Sequence, residues 1–216
     1  MKFKLIIFPL CLIVLNAFGF EGTIKQVANN YNGTGANITL TWYLGPHNCR
    51  MDMTQSGNGL NLSSVLIFDP ATQTFKTYNL SGSGEKTYFQ MNANVITGGI
   101  SILSVTATQE VKQISGYKCE KWVVVASSGS FNVWITRDID FDWSAYKDFF
   151  KTNVEAQALI HQGVKGFPML TEPLTGNGAS NVETVSPQVL AATTFAVPAE
   201  YTLYVAPPQT APAKTK

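Results

Sequence analysis

Apolar and polar residues alternate with a period of two through much of the chain, the spacing of strands with one face buried. Ile38, Leu40, Trp42 and Leu44 fall on one side and Thr39, Thr41 and Tyr43 on the other. The next segment repeats the pattern, with Cys49, Met51 and Met53 against Arg50, Asp52 and Thr54. A stretch rich in Gly, Asn and Ser from Ser56 to Ser64 is predicted as a loop, followed by a strand at 65–68. Asp69-Pro70 marks a turn into a strand at 75–80, and 81–84 a turn into 86–91. Further strands are predicted at 100–111, 116–126 and 130–138, the last two joined by Ser127-Ser128-Gly129. Short strands with tight turns predict an antiparallel meander rather than alternating βαβ units.

One segment changes period. From Trp143 to His161 the apolar positions Tyr146, Phe149, Phe150, Val154, Leu159 and Ile160 form a helical stripe. Asp142 is the expected N-cap and Gly163 the expected stop. Strands are predicted again at 166–170 and 183–195, the second bent at Pro187. The expected fold class is therefore α+β, mainly β, with one long helix.

The N-terminus reads differently. Lys2 and Lys4 precede an apolar run from Leu5 to Leu15, and small residues follow at Ala17 and Gly19. That is the pattern of a secretory signal peptide over 1–19, cleaved after Gly19. The run is shorter than the roughly 20 residues of a membrane-spanning helix, and no later stretch is long enough either. The expected organisation is one domain over 20–205 and a disordered Pro/Ala/Lys tail over 206–216. Of the 3 cysteines, Cys11 leaves with the signal. Cys49 and Cys119 remain, either as a disulfide suited to an oxidising compartment or as two separate buried thiols.

Composition narrows the partners more than the chemistry. Charged residues make up only 13% and the formal net charge is +1, with no basic stripe, so nucleic acid is excluded as an expected partner. Only His47 and His161 are available to a nucleophile, one in a Gly-Pro-His-Asn turn and one at the predicted helix end. No HExxH, CxxC or nucleophile-elbow motif occurs. Asp138, Asp140 and Asp142 lack the glycine and distal glutamate of a calcium loop, so they are expected to form a strand exit leading into a helix cap. No catalytic residue, metal or cofactor is expected. What remains is apolar: Trp42, Met51, Met53 and the helix aromatics Phe149 and Phe150 either line a pocket for an apolar ligand or fill an ordinary core.

Four short blocks carry a family resemblance: Ile114 to Trp122, Val133 to Ile139, Lys165 to Met169, and Phe195 to Tyr201, with Arg50 to Met53 and Ile67 to Asp69 upstream. In this order they resemble domain-of-unknown-function family 4412, found in exported proteins of Bacteroidetes-type bacteria. That family is similar in strand order to the LolA/LolB-type periplasmic lipoprotein carriers. The resemblance implies a curved antiparallel half-barrel with the 143–161 helix across its concave face. It also strengthens the pocket reading of Trp42, Met51, Met53, Phe149 and Phe150. The function so implied is a periplasmic or envelope-associated, non-enzymatic module that binds a lipid or other apolar ligand. The alternative is a structural protein that docks an envelope partner through its sheet surface.

Overall fold

The computed structural model describes residues 19–31, 35–57, 59–80, 85–176 and 178–205. The expected signal peptide, except Gly19, and the expected tail from 206 onward lie outside the described residues.

The chain begins with a meander of six strands: β1 (Gly22–Tyr31), β2 (Ala36–Leu44), β3 (Cys49–Gly57), β4 (Leu60–Asp69), β5 (Thr74–Asn79) and β6 (Thr87–Asn92). A second meander follows with β7 (Ile102–Ile114), β8 (Tyr117–Ala126) and β9 (Gly129–Thr136). After the single described α-helix, α1 (Val154–Gln162), come β10 (Phe167–Pro173), β11 (Ala179–Pro187) and the two-residue β12 (Thr202–Leu203). All twelve strands form one open, curved sheet in the order β12-β6-β5-β4-β3-β2-β1-β11-β10-β9-β8-β7. The two meanders join where β11 returns to pair with β1, antiparallel, Ile24 opposite Val185. Every pairing is antiparallel except β12 with β6.

Alternation sends side chains to two different cores. On the inner face, Ile24, Trp42, Leu44, Cys49, Phe68 and Phe75 pack with the buried residues of α1 and the segment before it. On the outer face, Val65, Ile67 and Tyr78 form a smaller cluster covered by Phe195, Val197 and Tyr201 of the C-terminal segment. The unbroken apolar run from Val65 to Phe68 is thus explained: this part of β4 is buried on both sides. Arg50 fastens the C-terminal segment to the outer face. Its guanidinium donates to both carboxylate oxygens of Asp52, at 2.6 and 2.8 Å, and to the Thr194 carbonyl at 3.0 Å, lying over the Tyr43 ring.

Three expectations are corrected. The predicted 56–64 loop is a tight hairpin, with Gly57 opposite Leu60. Only Asn58 and Gly59 intervene, and Gly59 has φ +78°, a left-handed turn conformation that a glycine takes at no steric cost. The predicted strand 183–195 ends at Pro187, and Ala192–Phe195 is a short 3-10 helix.

The predicted long helix is interrupted. Trp143–Tyr146 is a 3-10 turn that Asp142 caps, its side chain accepting from the Ser144 N–H. The helix proper starts only at Val154, capped by Asn153, whose Oδ1 accepts from the Ala156 N–H at 2.7 Å, and it stops at Gly163 in the left-handed region. The break between them exposes carbonyls that find other donors. Lys151 O accepts from the Ile100 N–H at 2.8 Å, and Phe150 O accepts from the Gln157 side-chain amide at 3.0 Å. Phe149 and Phe150 both reach Phe68, with ring centroids 5.2 and 5.1 Å away; Phe149 also packs on Phe75, and Phe150 on Trp42 and Trp143.

Candidate functional site: a cleft between sheet and helix

The aromatic segment 141–150 fills one end of the trough on the inner face and stops there. Trp42 marks the boundary, in edge contact with Trp143 at 5.7 Å and Phe167 at 6.0 Å. Beyond it lies an open cleft of about 620 Å³, within the size range of small-molecule sites.

Register builds its apolar wall. Leu40 sits opposite Met53 and Trp42 opposite Met51, so alternation points these four and Ile38 the same way. Phe150 and Val154 face them from the helix side, and Phe131 and Ile100 complete the wall. Of the sequence candidates, Trp42, Met51, Met53 and Phe150 line this cleft. Phe149 does not: it is buried in the inner core against Phe68, Phe75 and Tyr146.

The cleft has a polar floor that pattern reading did not single out. Gln26, only 6% exposed, donates from Nε2 to Ser180 Oγ at 2.6 Å and accepts the Trp42 indole N–H at 3.0 Å. Glu155, in the first turn of α1, turns its carboxyl into the same space. Burial pushes its pKa above the ordinary 4.5, and the neighbouring Thr171 and Asn153 side chains pull it only partly back. Thr171 Oγ1 is buried beside that carboxyl and makes no hydrogen bond of ordinary geometry. Gln26 could have been found, because it takes an inward place in the alternation of Ile24, Gln26 and Ala28. Thr171 could be found the same way, in the inward place after Phe167 and Met169, whereas Glu155 carries no such signal.

The remaining candidates are dispersed. Cys49 and Cys119 are both free thiols, both buried, and no disulfide joins them. They sit on β3 and β8, six places apart in the sheet order, where a disulfide needs Cα atoms within about 7 Å. Burial raises both thiols, Cys119 to about 11 and Cys49 further. His47 is exposed in its turn and lines a smaller cleft of about 270 Å³ with Asp140, Asp142 and Lys165. His161 is exposed in the last turn of α1. Among the described residues no group of three His, Cys, Asp or Glu side chains is placed to hold a metal. No helix among them is long and apolar enough to cross a membrane.

A family profile described as "Domain of unknown function (DUF4412)" matches residues 20–201. The chain belongs to the DUF4412 family. No curated protein matches it. Among solved structures it is similar to PNGF-II in two space groups, P21 and C2, with TM-scores of 0.47 and 0.46 and 12% identity. Each match covers 86% of this chain but only 31% of PNGF-II, so the chain spans less than a third of that protein's length.

Proposed function

We propose that this DUF4412 chain is an exported, non-enzymatic binding module that holds a lipid or other apolar ligand between its sheet and α1. In this reading the sheet is a half-barrel of the lipoprotein-carrier type. The observation that carries the proposal is the cleft of about 620 Å³ walled by Trp42, Met51, Met53 and Phe150. Methionine and aromatic side chains adapt to irregular apolar shapes, and each methylene buried against them contributes about 0.8 kcal/mol. Affinity should therefore rise with chain length. Native mass spectrometry of protein purified from an envelope fraction, before and after delipidation, tests this. Co-purifying lipid, and rebinding of alkyl probes that tighten with each added methylene, are the expected results. A delipidated protein with no affinity for any alkyl chain would refute it.

A second reading, docking of an envelope protein, draws on the sheet edge at β6 and β12. There the Phe89 and Tyr204 rings meet at 4.8 Å while both remain exposed, as does Leu203. A stoichiometric protein partner without bound lipid would favour it.

A further inference from the structure

The cleft is apolar for most of its length, but its floor is not neutral in what it can accept. Glu155 is the single ionisable side chain among the described residues that line it, and no Lys, Arg or His stands there to balance a negative charge. Two of the other polar floor groups are engaged. Both ends of the Gln26 amide are bonded, and Asn153 Oδ1 caps the helix. Two groups stand out: the Glu155 carboxyl, with no cation beside it in the cleft, and Thr171 Oγ1, buried next to it and making no hydrogen bond of ordinary geometry. A buried hydroxyl left unpaired is destabilising, and a bound polar group relieves it.

Building on the binding reading, we infer that the ligand is an amphiphile with a hydrogen-bond-donating head, an alcohol or amine, seated between Glu155 and Thr171. Carboxylate and phosphate heads are disfavoured. The geometry supplies an acceptor in Glu155 and a donor–acceptor in Thr171. An alcohol can donate to the first and accept from the second, whereas an ammonium donates to both oxygens. A carboxylate head would set a second carboxyl group against Glu155, with no cation lining the cleft to offset the pair. The apolar wall of Leu40, Met51 and Met53 then takes the chain, while the exposed rim residues Asn29, Ser128 and Thr175 remain in contact with solvent.

The test compares three probes of equal chain length, dodecylamine, 1-dodecanol and dodecanoate, against delipidated full-length protein at neutral pH and below their aggregation concentrations. Amine and alcohol are expected to bind about tenfold or more tighter than dodecanoate, the range of one charge-assisted hydrogen bond. In Glu155→Gln the discrimination against dodecanoate should largely vanish, and Thr171→Val should weaken the alcohol several-fold. Leu40→Trp, which fills the cleft, should abolish binding of all three and so place them there. Equal affinities for the three heads, unchanged by Glu155→Gln, would overturn the head-group assignment while leaving the apolar cleft standing. Failure of all three probes to bind the wild-type protein would overturn the binding reading itself.

Discussion

The Trp42 indole N–H donates to Gln26 Oε1 at 3.0 Å, joining the tryptophan that closes the aromatic core to the glutamine that floors the cleft. Gln26 also reaches Ser180, 154 positions along the chain. One amide therefore ties β1 to β2 and to β11 at the point where packed interior gives way to open space.

Gln26→Leu is expected to strand the buried Trp42 N–H and cost about 1–3 kcal/mol. Adding Trp42→Phe to it should cost less than the sum of the single changes, because the orphaned donor is removed along with its partner. Thermal or urea denaturation of the cycle measures this. Strict additivity would mean the bond contributes nothing.

Glu155 predicts a pH dependence of stability. Its folded pKa is raised above the ordinary 4.5 by burial, so its neutral form is favoured in the fold. The stability contribution is complete below the ordinary value and is lost as pH rises through the raised one. Wild-type and Glu155→Gln denaturation curves should lie close together in mild acid. The variant should become the more stable of the two toward neutral pH. Curves that stay parallel across that window would contradict the assignment.

Arg50 predicts a local effect. Its bonds to Asp52 and to Thr194 O use the planar fork of the guanidinium, which a lysine ammonium cannot reproduce. Arg50→Ala should release the C-terminal segment, seen as faster amide exchange over 192–205 with little change in β8 and β9. Arg50→Lys should rescue it poorly.

The thiols supply a chemical check. Both cysteines are buried and free, and burial keeps them protonated at neutral pH. Neither should react with a thiol reagent in the native protein, and both should react on denaturation. A reducing agent should leave the melting temperature unchanged, whereas a fall would reveal a disulfide.

Much of the fold is legible in period-two alternation. The inward set Ile38, Leu40 and Trp42 with Met51 and Met53 follows from it directly, and with it one wall of the cleft. The 58–59 hairpin was also legible, since Asn-Gly is among the strongest two-residue turn signals. Its polar flanks disguised strand ends whose stability comes from backbone pairing. The helix misled for a different reason. Its apolar stripe is continuous, yet Asn153 offers a cap that starts the helix afresh. Glu155 and Thr171 are brought together only by tertiary packing, a juxtaposition that no local spacing encodes.

The seam between β1 and β11 has a consequence for how the protein is made. During synthesis the first meander can form its hairpins as it emerges, but β1 must keep a bare edge until nearly the whole chain is available. Such long-range closure is slow, and an unpaired edge invites pairing with another molecule. The edge of β1 is where misassembly would begin if β11 were slow to arrive.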